Sequence, residues 1–149
     1  MAKIINKDLK ISGQGSLIVN DKTVVNGNGS IVNGAAASLA KTAAYTMAAA
    51  DSGLVTTFTA DGATVITLPS TVVGFSFTMV NGSEDGRQQL QISPAALDKI
   101  VGGSLTGADN KDFINTKATS NKGDYVKLVA DGADGWFVTE MVGTWAAEA

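Results

Sequence analysis

The chain has 149 residues, 44% of them apolar and 17% charged, with a formal net charge of −3. That apolar share supports one buried core and is too high for a disordered chain. Cysteine and histidine are both absent, which excludes disulfides, thiol nucleophiles, Cys/His zinc sites and histidine-based triads.

Residues 1–34 read as short β-rich runs broken by Gly and Asn. "GQGSLIVN" (13–20) returns as "GNGSIVNG" (27–34), a spacing of fourteen residues. Two copies are too few for a solenoid, which needs about three repeats to bury a shared core. Neither copy has the third glycine and following helix of a dinucleotide-binding turn. Residues 35–50 are Ala-rich. Propensity alone favours a helix there, but the apolar pattern has no 3.6-residue period. A packed linker running into a strand near Tyr45–Ala48 is the competing reading.

From Gly53 onward the pattern is that of strands. "LVTTFT" (54–59) and "TVITL" (64–68) flank "ADGA", which predicts a hairpin through an Asp-Gly turn. Residues 74–80 alternate, with Phe75, Phe77 and Met79 on one face and Ser76, Thr78 and Val80 on the other. Leu90 and Ile92 point inward from 89–93. A helical turn is expected within 94–103 and a short strand at 112–116. Residues 124–130 and 135–143 predict a second hairpin around "DGADG". Asp131 and Asp134 lack the spacing and distal Glu of an EF-hand calcium loop, so they read as turn residues. Glu84 and Asp85 are adjacent on a turn, where their side chains diverge. Trp136 is expected in the core, and Trp145 is expected to be covered by this chain or a neighbour.

About seven strands at this spacing predict an all-β fold. The expected form is a β-sandwich, jelly-roll-like, for residues 42–149, with an extended β-rich N-terminal arm and linker at 1–41. The arm is mildly basic, with five Lys against Asp8 and Asp21, and the body is acidic. Nucleic acid binding calls for a stronger, clustered basic face, so none is expected. No apolar run approaches the ~20 residues of a membrane span. "MAKIINKDLK" lacks a signal-peptide apolar region, which predicts synthesis in a cytoplasm. No metal, cofactor or catalytic residue is predicted.

"YTMAAADSGLVTTFTADGATVITLPSTVVGFSFTMVNG" (45–82) carries a Tyr-Thr, Ala-Ala-Asp-Ser-Gly, Thr-Phe, Leu-Pro and Gly-Phe-Ser-Phe-Thr progression. "NKGDYVKLVADGADGWFVTEMVGTW" (121–145) closes with a hairpin and Gly-Thr-Trp. Together these stretches resemble a β-module of tailed-bacteriophage fibre, head-fibre and capsid-decoration proteins. The resemblance spans roughly residues 45–145 and leaves the doubled segment outside it. It implies a non-enzymatic virion protein, made in the host bacterial cytoplasm and carried as a homotrimer on the outer capsid surface.

On that reading the partners are the major capsid protein and sister subunits. The arm docks by strand pairing and apolar burial. Ile4, Ile5, Leu9, Ile11, Leu17, Val19, Val24 and Ile31 are its expected anchors, with Lys3, Lys7 and Lys10 steering it towards an acidic surface. The alternative is a host-receptor-binding fibre or tip module, taking glycan on loops such as 82–88 and 103–111.

Overall fold

The computed structural model describes residues 38–103 and 107–149, with the backbone of Leu17–Val19 and Lys22–Val25. The chain divides into two compact units, residues 1–37 and residues 38–149. In the first unit β1 (Leu17–Val19) and β2 (Lys22–Val25) pair antiparallel. Ile18 faces Thr23 and Val19 faces Lys22, with an irregularity next to Leu17. The second copy of the repeat, 27–34, lies outside the described residues.

The second unit is all-β, a sandwich of two sheets. Its strands are β3 (Ser38–Lys41), β4 (Tyr45–Thr46), β5 (Val55–Phe58), β6 (Gly62–Thr67), β7 (Ser76–Asn81), β8 (Gln88–Ser93), β9 (Lys99–Val101), β10 (Phe113–Asn115), β11 (Tyr125–Ala130), β12 (Gly135–Val142) and β13 (Trp145–Ala147). One sheet has the order β3-β5-β7-β11-β12-β9 and the other β13-β10-β8-β6-β4.

Successive strands from β3 to β8 alternate between the sheets, so β3, β5 and β7 run parallel in one and β4, β6 and β8 run parallel in the other. Parallel neighbours need a crossover, usually a helix. Here each crossover is a strand of the facing sheet. The last part of the chain closes both sheets antiparallel, β10 on β8 and β11 on β7. This parallel first half departs from the antiparallel pattern of a jelly roll.

The alternation read from sequence holds where strands are long. Phe77 and Met79 in β7, Leu90 and Ile92 in β8, and Val126 and Leu128 in β11 are all buried. Phe58, Ile66, Phe113 and Trp136 complete the layer between the sheets. Phe77 and Trp136 pack with ring centroids 5.3 Å apart. Each such side chain contributes about 1.5–3 kcal/mol by leaving water.

Four local expectations are corrected. The Asp61-Gly62 step closes no hairpin, because β5 and β6 lie in different sheets. Thr56, Phe58, Thr64 and Ile66 all point into the core, which only opposed sheets allow. Residues 94–98 form a turn without a helix, leading into β9. Among the described residues, positions 42–149 hold ten strands, not about seven, because several span only two to four residues. Among the described residues the Ala-rich stretch forms no α-helix, only a 3-10 turn at Ala49–Asp51, and the strand expected near Tyr45–Ala48 is β4, but Ser38–Lys41 already pairs with β5, so the compact body begins ahead of residue 42.

A polar spine crosses between the sheets. Gln88 Nε2 donates to Thr64 Oγ1 (3.0 Å), and Asn81 Nδ2 donates to Asn115 Oδ1 (3.1 Å). Asn115 Nδ2 donates in turn to Asp124 Oδ2 (2.9 Å) and the Thr144 carbonyl (3.0 Å). Gln88, Asn81 and Asn115 are fully buried.

Candidate functional site

Strand direction sorts the connections of the body into two ends. The turns at 59–61, 82–87 and 116–124 share one end, called here the Asp61 end. The segments at 68–75, 94–98, 107–112 and 131–134 share the other, the Asp131 end.

The sheet faces between the ends are almost without charge. Facing outward on the five-stranded sheet are Thr46, Ala63, Val65, Thr67, Gln89, Gln91, Ser93, Ile114 and Ala146, none of them ionisable. On the six-stranded sheet the only outward charges are Lys127, the Glu140 opposite it, and Lys99 where β9 begins. Around them Val55, Phe137 and Val142 are exposed, Phe137 by 50%.

Charge concentrates at the ends, and unequally. At the Asp61 end Lys41, Arg87, Lys117 and Lys122 stand against Asp61, Glu84, Asp85 and Asp124, so the end is neutral. Most of these groups are paired. Lys117 Nζ lies 2.9 Å from Asp61, and Lys122 Nζ lies 2.6 Å from Glu84. Asp85 accepts the Lys122 backbone N–H at 2.8 Å. The Lys117 hydrogen bond, then its charge, hold the Asp61 carboxyl below the usual range. An open cavity of about 300 Å³ lies between Asp61, Glu84 and Arg87, but these ion pairs line it, and loop 82–88 is pinned rather than free to grip a ligand.

At the Asp131 end only Lys99 and Lys111 are basic. Asp51, Asp98 and Asp112 are buried there, and Asp109, Asp131, Asp134 and Glu148 reach the surface. The whole net negative charge of residues 38–149 therefore sits at this end. The same end carries the two most exposed large apolar side chains among the described residues, Leu97 (79%) and Val73 (77%), with Val72 beside them.

These features form one continuous surface. Val73 packs against Gly132 in the 131–134 turn. Asp134 binds Lys99 Nζ at 2.7 Å, and Asp109 approaches the same amine at 3.8 Å. The Asn110 N–H donates to the carbonyl of Asp98, next to Leu97, at 3.0 Å. Asp98 Oδ2 is buried and has no hydrogen-bond partner among the described residues. The Asp134 hydrogen bond, then its charge, raise the Lys99 amine above its ordinary range.

Asp131 sets the turn. Its Oδ1 accepts the N–H groups of Ala133 (2.8 Å), Asp134 (2.9 Å) and Gly135 (3.0 Å). Those bonds stabilise the carboxylate and lower its pKa, the Ala133 bond most. A lowered folded pKa gives stability that is complete above the unfolded value of about 3.9 and is lost as pH falls through the folded one. Thermal melts of wild type and Asp131→Asn between about pH 6 and 3 are expected to diverge least at the acid end. Asn retains the oxygen acceptor without the charge, whereas Asp131→Ala is expected to lose the turn at every pH.

The residues proposed from sequence as docking anchors all belong to the first unit. Leu17 and Val19 fall in β1 and Val24 in β2. Lys3, Ile4, Ile5, Lys7, Leu9, Lys10, Ile11 and Ile31 lie outside the described residues. Trp145 is half-buried, its ring centroid 5.1 Å from that of Phe113. Among the described residues no group of three or more Asp and Glu is arranged to hold a metal ion.

Comparisons with protein-family models, curated proteins and solved structures gave no match. At the Asp131 end exposed carboxylates surround the exposed apolar side chains of Val72, Val73 and Leu97.

Proposed function

We propose that this chain is a non-enzymatic structural protein of a phage virion. It acts as a decoration, or cement, protein that coats the outer surface of the head as a trimer and strengthens the shell. Its partners are the major capsid protein and sister subunits.

The observation that carries this reading is the body's surface. Two sheet faces nearly empty of charge, one with Phe137 and Val142 exposed, suit a protein covered by other protein. Mixed charge of both signs is the usual device that keeps a free domain apart from its neighbours.

The residues behind the phage resemblance also work together as a folding unit. Tyr45 Oη donates to Asp51 at 3.0 Å, and Asp51 also accepts the Ala48 N–H at 2.8 Å. Ser52 Oγ accepts the Ser76 N–H at 3.0 Å, which ties the Ala-Ala-Asp-Ser-Gly turn to the Gly-Phe-Ser-Phe-Thr strand. Gly143 of the closing Gly-Thr-Trp lies directly against Asp124, where any side chain would collide.

The test mixes purified protein with expanded, undecorated heads and measures binding and heat resistance. Protein lacking residues 1–34 is expected to stay folded by circular dichroism and to lose docking. No binding by the full chain overturns the proposal. Staining of host cells by labelled protein, without head binding, favours a receptor-binding fibre module instead.

A further inference from the structure

We propose that the Asp131 end is the subunit-contact surface of the oligomer, and that it holds the basic, apolar N-terminal segment Lys3–Ile11 of a second copy of this chain. The inference deepens the trimeric part of the proposed function and rests on it.

Charge complementarity singles out the occupant. The body's excess of acid lies entirely at this end, while the Asp61 end and the sheets are balanced. The segment "KIINKDLKI" carries Lys3, Lys7 and Lys10 against Asp8 alone, interleaved with Ile4, Ile5, Leu9 and Ile11. Across the interface the lysines meet Asp109, Asp134 and Glu148, and the apolar side chains cover Val72, Val73 and Leu97. Val73 and Leu97 are each more than three-quarters exposed in the single chain. Rim charges of this kind steer and orient association, and apolar side chains removed from water hold it.

A head-to-tail contact, in which a segment of each copy meets a different surface of the next, is heterologous. It closes into a ring when the rotation permits, as a trimer requires. The surface is set by paired strands: Lys99 and Gly135 are register partners in β9 and β12, and Asp134 is the residue before Gly135. Occupation of the site therefore demands little reordering on the receiving side.

Sedimentation and light scattering on the full chain provide the test, with head binding measured in parallel. Wild type is expected to be oligomeric at low salt and to associate more slowly and more weakly in about 1 M salt, where the Debye length falls to about 3 Å. Asp109→Lys with Asp134→Lys is expected to weaken association at least about tenfold, and Lys3→Glu with Lys7→Glu and Lys10→Glu to do the same. Combining both reversals in one chain, so that every acidic body meets a basic arm with the signs exchanged, is expected to restore the oligomer, which neither a folding defect nor a loss of general solubility can mimic. Val73→Ser with Leu97→Ser, which leaves charge untouched, is expected to weaken association at all salt concentrations.

A monomeric wild type, or reversed variants that assemble normally, overturns the inference. So does loss of head binding with an unchanged oligomer, which assigns the surface to the shell instead. Failure of wild type to bind heads while the oligomer still forms and the combined reversal restores it overturns the decoration role and leaves this contact standing.

Discussion

Gly135→Ala is expected to lower stability by about 3 kcal/mol, the upper end of the cost of overpacking, and the melting temperature by roughly 10 °C for a chain of this size. Gly135 needs no left-handed backbone; it needs space. A Cβ there collides with the carbonyl oxygen of Lys99 and lies 2.9 Å from the Lys99 nitrogen. Those are main-chain atoms of the paired strand, so no side chain can swing aside. The strand must move, and β9 is held to β12 by only three register pairs, Lys99 with Gly135, Ile100 with Trp136 and Val101 with Phe137. Its departure uncovers Trp136, the largest buried side chain. Gly123→Ala makes the contrast: φ is +93° but nothing lies within 4 Å, and the expected cost is only about 1 kcal/mol of backbone strain. Thermal and denaturant unfolding of both variants check the pair.

Asn115→Leu is expected to cost about 4 kcal/mol, although the new side chain nearly matches the old in size. The substitution deprives Asp124 of a donor, leaves Asn81 Nδ2 with only the Gln88 carbonyl at 3.5 Å, and takes a donor from the solvent-facing Thr144 carbonyl. Each buried group left unpaired costs about 1–3 kcal/mol, more when charged, and groups sharing a partner do not add fully. The double variant Asn115→Leu, Asp124→Asn removes a buried charge left with the Asn121 N–H as its donor and is expected to recover part of the loss. A double-mutant cycle by urea unfolding measures the coupling. Equal and additive losses in the two single variants would show that the spine does not act as a unit.

These residues also mark where sequence reading reaches its limit. Phe77, Met79, Leu90 and Ile92 announce themselves by alternation, because a half-buried strand writes its two faces into the order of residues. Asn81, Gln88 and Asn115 occupy the same inward register, yet being polar they read as surface. Their burial depends on partners up to 34 positions away, which no local window contains. The "ADG" step at 60–62 was misread for a related reason. Asp-Gly specifies a sharp reversal, and Gly62 has φ +103°, but a turn does not state whether the chain returns in the same sheet or the opposite one. That choice belongs to β7, which takes β5 as a parallel neighbour. "DGADG" was read correctly because its hydrogen bonds lie within four residues of Asp131. The acidic end was hidden altogether. Its carboxylates are spread from Asp51 to Glu148, and only strand direction gathers them.

The alternation of β3 to β8 between the sheets bears on how the body comes apart. In a sandwich made of hairpins, whole sheets are joined by a few links and can part like the covers of a book. Here the backbone laces the covers together at every step from Ser38 to Ser93. Neither sheet can peel away without drawing the other after it. The body thus has no half-open form to offer a protease, and shear along a sheet face is carried by covalent bonds at both ends as well as by side-chain packing. Such a body yields as a whole or not at all.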